Sequence, residues 1–469
     1  MYLEAGGVLN IEAGTKIIGK VNAAGTNPAS LIITKGAQIF AEGTANEPIV
    51  FTSEIDNGTI QLDQTDRKLW GGLIILGSGT VARPGGTEFI EGIPNETRTE
   101  YGGGESPNDT ESSGVLKYVS IRHGGAELAP GDEINGLTLG AVGSGTVLDY
   151  IEVFANSDDG IEWFGGTAQV KHLVSAFCGD DGMDYDFGWR GKGQFWLVVQ
   201  DPNLGGNAGE HDGAKPDGEA PFSKPTISNA TYIGSGVGSA AKNEYALLFR
   251  DNAGGTYVNS IFTGFKDLAI SIEDLPDDPN GNVDAYQNLL NGDLVISNNI
   301  WYGFGSGSTL EDIVDVYSDG NDANSSEVIS HLSNNGNTIE NPMLCGISRT
   351  NDGVLSPTLE IGSPANTGAV IPTDDFFTQV DYKGAFGQLN NWATGWTALS
   401  QYGHFGAACV QTSINDPFAQ KGFILEQNNP NPASDITTFN YTVPTQSQVT
   451  MKVYAVSYTH LTLPTTPYV

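Results

Sequence analysis

Apolar and polar residues alternate in short runs along residues 1–305, and glycine, aspartate and asparagine break the runs. VLNIEAGTKIIG (8–19), LIITKGAQIFAEGT (31–44), LIILG (73–77), VLKYVSIRHGG (115–125) and QFWLVVQDP (194–202) are of this kind. Period-two text of that length, bounded by turn residues, predicts half-buried strands. The runs TYVNSIFTGF (256–265) and LVISNNIWYGF (294–304) resemble one another, which is the mark of a repeated structural unit.

The repeat is plainest in residues 147–191. Val147 aligns with Val170 and Phe154 with Phe177, an offset of 23, while Asp158-Asp159-Gly160 aligns with Asp180-Asp181-Gly182 at an offset of 22. Each Asp-Asp-Gly is followed by an apolar residue, an acid and an aromatic: Ile161-Glu162-Trp163, then Met183-Asp184-Tyr185. A period in the twenties is too short for helix pairs and suits a solenoid of strands. The expected class is all-β, a right-handed parallel β-helix. Residues 1–335 form the coil, with long loops at 83–114 and 203–225. Residues 336–416, rich in Pro, Gly and paired aromatics, are expected to cap its end, since an open solenoid end exposes core and unpaired strand edge.

Coiling sets equivalent residues of successive turns about 4.8 Å apart. Asp158 is therefore expected over Asp180 and Asp159 over Asp181, a stack of like charges that raises pKa values or calls for a cation. The plain alternative is that Asp-Gly pairs only turn corners. Asp158, Asp159, Asp180, Asp181 and Asp184 are the candidate ligands for Ca²⁺, and Asp158, Asp180 and Asp181 the candidate acids and bases if the chain is an enzyme. Trp163, Tyr185 and Trp189 around these turns, with Glu210, His211 and Asp212 in the second loop, are candidates for binding a sugar by stacking and hydrogen bonding; the alternative for the rings is a core stack. No organic cofactor motif is present, and the isolated His123, His172, His331 and His404 read as packing or surface groups.

Composition narrows the partners. The net charge of −35 repels nucleic acid and anionic lipid and favours cations. No apolar run is long enough to span a bilayer. The three cysteines set no disulfide framework; Cys345 and Cys409 could pair, and Cys178 beside Phe177 reads as core. There is no signal peptide, and Met1 opens directly into strand text, so an export signal is expected to have preceded it.

Three resemblances extend this reading. IEAGTKIIG, WGGLIILG, IEWFGGTAQVKHLVSAF and NWATGWTALSQYG resemble exported β-helix proteins of Bacteroidetes, described as lipoproteins or secreted proteins, which implies a secreted or outer-membrane-surface location. FILEQNNPNPASDITTFNYTVPTQSQVTMKVY (423–454) resembles the C-terminal sorting domain of type IX secretion substrates, with Leu425, Gln427, Asn428, Pro430, Asn431 and Pro432 on its motif. That implies a small β-sandwich-like tail over 417–456, recognised by the secretion machinery. The tail is incomplete, and residues 457–469 resemble translated sequencing adapter. Asn156-Ser157-Asp158 and Gly179-Asp180-Asp181 are similar in type and order to motifs of polygalacturonase-like β-helix hydrolases, where such acids protonate a leaving group and activate water; the family's Gly-His-Gly and Arg-x-Lys motifs are missing. The expected function is a secreted β-helix that binds polysaccharide, with Ca²⁺ at the acidic turns. A glycan-cleaving enzyme and a purely structural surface protein are the alternatives.

Overall fold

A computed structural model describes residues 1–20, 29–60, 62–126, 133–242, 245–276, 283–317 and 324–406, together with 424–425, 438 and 440–442. The alternating runs form a parallel β-helix. One long sheet stacks Tyr2–Leu3, Leu31–Ile33, Leu73–Leu76, Leu137–Gly140, Ile161–Phe164, Met183–Asp186, Gly209–Asp212, Tyr245–Arg250, Leu268–Glu273 and Val314–Tyr317 in that order. A second stacks Gly114–Arg122, Val147–Phe154, Gln169–Ala176, Lys192–Val199 and Thr226–Ile233 between earlier and later turns, and neighbouring strands of both sheets run parallel. From Gly114–Arg122 to Tyr245–Arg250 successive strands alternate between the sheets, so each pair makes one turn of the coil.

The register corrects the alignment read from sequence. Leu148 pairs with Val170, Phe154 with Ala176 and Ile161 with Met183, so one offset of 22 holds throughout this turn. Matching Phe154 to Phe177 was a one-residue slip between two large residues. In a β-helix the inward positions must superpose, and a slip of one would turn every side chain to the wrong face.

Inward positions build one continuous core. Trp163 stacks on Trp196 at 5.1 Å and on Trp189 at 4.7 Å, while Tyr185 stacks on His211 at 4.0 Å. Cys178 lies in the same core as a free thiol. Midway along the second sheet each strand bends at a residue with φ between 49° and 61°: Tyr118, Tyr150, His172, Phe195, then Asn229, Asn259 and Asn298. Asparagine tolerates this left-handed conformation and bulky residues do not. The bulky four are held by stacking on one another, Tyr118 on Tyr150 at 4.3 Å, Tyr150 on His172 at 4.1 Å and His172 on Phe195 at 5.1 Å.

Two expectations change here. The segment beyond Thr338–Ile339 does not close the coil's end; through residue 405 it lies along the outer flank of the second sheet. Its Leu355, Phe386, Ala398 and Leu399 bury the outward-facing Phe154, Val174, Leu197 and Ile233. The last turn instead takes Val328 and Leu332, from the helix Ser326–Asn334, into the inner core. The reason lies in the strands: an apolar outer face needs cover as much as an open end does. Within the expected loop 203–225, Gly209–Asp212 is a strand, paired Asp184 to Glu210 and Tyr185 to His211. Polar text folds as a strand there because the neighbouring turns supply the ladder. Cys345 is disulfide-bonded; Cys409 lies outside the described residues. No helix of the described residues is long and apolar enough to cross a membrane. Residues 410–469 make a separate unit in which Ile424–Leu425 pairs antiparallel with Tyr441–Thr442. Leu425 is in that pair; Gln427, Asn428, Pro430, Asn431, Pro432 and residues 457–469 lie outside the described residues.

Candidate functional site: an acidic cleft on one face of the coil

Strand alternation decides which candidates share a surface. In Ile161–Phe164, Met183–Asp186 and Gly209–Asp212 the first and third residues point inward and the second and fourth outward. Glu162, Asp184 and Glu210 therefore line up in register on the outer face, with Phe164 beside Asp186 in the next column and Asp212 beside Arg250. Asp158, Asp159, Asp180 and Asp181, at the corners leading into these strands, join the same face. The expected stacking holds, since the Asp181 N–H donates to Asp159 Oδ1 at 2.9 Å one turn away.

The same alternation removes the rings from the site. Trp163 and Trp189 are 0% exposed, Tyr185 1% and His211 0%, all in the core. They were expected to meet sugar, and they pack the coil instead: Trp163, Tyr185 and His211 are the inward members of inward–outward pairs with an acid, and Trp189, between strands, stacks on Trp163. His211 Nε2 contacts the Tyr257 hydroxyl at 2.9 Å. Burial pushes its pKa down to about 3, which keeps the ring neutral. Glu210 and Asp212, on either side of it, do reach the cleft.

The carboxylates fall into three overlapping sets, Asp158/Asp159/Asp180, Asp159/Glu162/Asp184 and Asp181/Asp184/Glu210, each with oxygens within 4.8 Å of one another. Ca²⁺–oxygen bonds of about 2.3–2.6 Å put two ligands of one ion at most about 5 Å apart, so each set could hold a hard divalent cation. The middle set carries the best sign of one. Glu162 Oε2 accepts from Asn135 Nδ2, yet the amide oxygen of Asn135, a residue 2% exposed, has no protein partner. Asp184 Oδ1 is likewise buried without one. Two buried oxygens left unpaired, one on a carboxylate of this set and one on the amide beside it, suit a cation.

Burial, and then the neighbouring acids, push the carboxyl pKa values upward: Asp159, Glu162, Asp181 and Asp184 well above the usual range, Asp158 to about 7. Asp212 also rises to about 7, burial outweighing its ion pair with Arg250 Nε at 2.7 Å. Arg250 also pairs with Glu210 and so ends the run of free acids on that side. Gly206 carries the backbone close over the corner acids; a Cβ there would lie 2.3 Å from an Oδ1 of both Asp180 and Asp181.

The two excursions from the coil form the lips of a cleft of about 470 Å³ over this floor. The first supplies Arg83, Glu88, Phe89, Glu91 and Tyr101, the second Lys215. They touch, with Arg83 Nη1 donating to the Lys215 carbonyl at 3.0 Å. Among the described residues, eleven carboxylates and three cations line the cleft. Asp186, Phe89, Phe164 and Phe187 escaped the sequence reading. Asp186 and Phe164 were legible as outward strand positions; the loop residues had no periodic signal to place them.

Over residues 1–397 the sequence matches the family described as "Pectate-lyase like beta helix domain". Among solved structures, the crystal structure of pectate lyase Pel9A aligns with 80% of this chain and 97% of its own, at 13% identity and a TM-score of 0.27. No curated protein matches.

Proposed function

The chain belongs to the pectate-lyase-like β-helix family, and from that premise we propose that its acidic cleft binds an anionic polysaccharide through a divalent cation. The observation that carries this reading is the Asp159/Glu162/Asp184 set with the unpaired oxygens of Asn135 and Asp184 beside it. An acid floor alone repels an acidic sugar. A cation held by these carboxylates reverses the sign at the floor and leaves coordination positions for a sugar carboxylate. Asp159, Glu162 and Asp184 hold, Asp158 and Asp181 extend the negative field along the cleft, and Arg250 bounds it. The disulfide at Cys345 suits an oxidising location outside the cell, and the resemblance of residues 423–454 to a sorting tail points the same way.

The test is calorimetric titration of Ca²⁺ into chelator-treated protein, then of oligogalacturonate with and without Ca²⁺. The expected result is cation binding that Asp159→Asn/Asp184→Asn abolishes, and oligosaccharide binding that needs the cation. Oligosaccharide binding of equal strength in chelator would overturn it.

Catalysis is the second reading. Asp158, pushed up to about 7, holds a proton on about half of the molecules at neutral pH and so can act as a general acid, and Asp180 stands one turn away. New reducing ends, or the ultraviolet absorbance of an unsaturated product, on incubation with polygalacturonate would favour it; Asp158→Asn should then remove the activity.

A further inference from the structure

The cleft has a second chemistry that its acids do not explain. One wall is aromatic: Tyr101 and Phe164 lie 6.0 Å apart, Phe164 and Phe187 5.7 Å, and the Arg83 guanidinium sits 4.9 Å over Phe187. At the lip stands Phe89, 37% exposed, among Glu88 and Glu91. It is one of the large apolar side chains left open to solvent. Its position is nonetheless fixed. Phe89 pairs with Glu100 in a short antiparallel ladder, its N–H donates to Glu88 Oε1 at 2.9 Å, and Glu88 pairs with Arg83 at 2.6 Å. A phenyl ring held on a charged lip leaves apolar surface in water that a ligand would remove.

An acidic polysaccharide has the complementary pattern, since each pyranose ring presents an apolar C–H face while its carboxylate and hydroxyls project from the edge. Aromatic faces, negative at the centre, attract polarised C–H groups. Resting on the reading of the cleft given above, we propose that Phe89 is the platform for one sugar ring of the bound chain, setting that sugar so that its carboxylate faces the acid floor. The rings expected to do this, Trp163, Tyr185 and Trp189, are inside the coil.

Oligogalacturonate titrated at saturating Ca²⁺ into wild type, Phe89→Ala and Phe89→Trp tests it. Phe89→Ala should lose about tenfold in affinity, and Phe89→Trp should keep the wild-type value. Ca²⁺ affinity and melting temperature should stay unchanged in both variants, because the ring is partly open to solvent and lies outside the carboxylate sets. Unchanged sugar affinity in Phe89→Ala overturns the platform and leaves the cleft reading standing. A melting temperature lowered by Phe89→Ala also overturns it, by making the ring structural. Wild-type protein that binds Ca²⁺ and no oligosaccharide sinks both.

Discussion

The outer faces of the two long sheets are built on the same alternation and decorated in opposite ways. On one, the outward residues of successive turns run Glu162, Asp184, Glu210. On the other they run Glu152, Val174, Leu197 in register, with Phe154 beside Ala176 in the next column. The apolar flank is covered by the segment leading to residue 405, and the acidic flank is overhung by two loops that leave a cleft. A β-helix needs its inward positions for the core, whereas outward positions are free for use wherever nothing covers them. Position in the repeat therefore says where function can sit, and chemistry says which flank it took.

The largest effect should come from the covered flank. Phe154 is 0% exposed and packs edge-on against Phe177 at 5.7 Å and Tyr402 at 5.3 Å. Phe154→Ala should cost about 3–5 kcal/mol, read as a lower midpoint of thermal or denaturant unfolding. A loss under about 1 kcal/mol would mean that the segment 341–405 packs only loosely. On the same flank Gln194, 0% exposed, exchanges hydrogen bonds with the backbone of Thr378, accepting from its N–H at 2.7 Å and donating to its carbonyl at 2.9 Å. Gln194→Ala leaves both groups unpaired and should cost about 1–3 kcal/mol.

The acidic flank should respond in the opposite direction. Its carboxyls have folded pKa values raised above their unfolded ones, so between the two the folded state holds more protons. Stability is then fullest below the unfolded value near 3.8 and falls as pH rises through the folded value, about 7 for Asp158 and Asp212. In chelator, the melting temperature should drop between pH 5 and pH 8. Millimolar Ca²⁺ should flatten that fall, because the cation replaces the protons. Asp184→Asn should raise the melting temperature in chelator at pH 8 and lower Ca²⁺ affinity by about tenfold or more. A melting temperature that rises with pH in chelator would remove the electrostatic account of this face.

The legible part of the molecule was the part governed by repetition. The alternating runs announced strands, the two Asp-Asp-Gly corners announced adjacent turns, and the site's acids from Asp158 to Asp184 stood together in the sequence. Other features depended on neighbours distant in the chain. Gly209–Asp212 is polar text that pairs as a strand only because Met183–Asp186 lies beside it, so His211 looked like a loop ligand and is a core ring. Trp163 and Glu162 are adjacent in sequence and on opposite faces in space. Their proximity suggested one site, and period-two geometry divides them. Phe89 is out of reach of any periodic argument, since its loop meets the cleft only through the folded coil.

The smallest effect tests what holds the covering segment. Lys192 and Asp374 form an ion pair at 2.6 Å between coil and segment, with side chains 28% and 47% exposed. Such a pair gains little, because water screens it and two long side chains must be ordered to make it. Lys192→Ala should therefore shift stability by no more than about 1 kcal/mol, well below Gln194→Ala two residues along the same strand. If Lys192→Ala proved the costlier of the two, the segment would be held by charge. Salt would then loosen the apolar flank as it loosens the acidic one, and the contrast between the two faces would fail. If the order is as expected, raising the salt concentration should leave the covered flank in place while weakening cation binding across the coil.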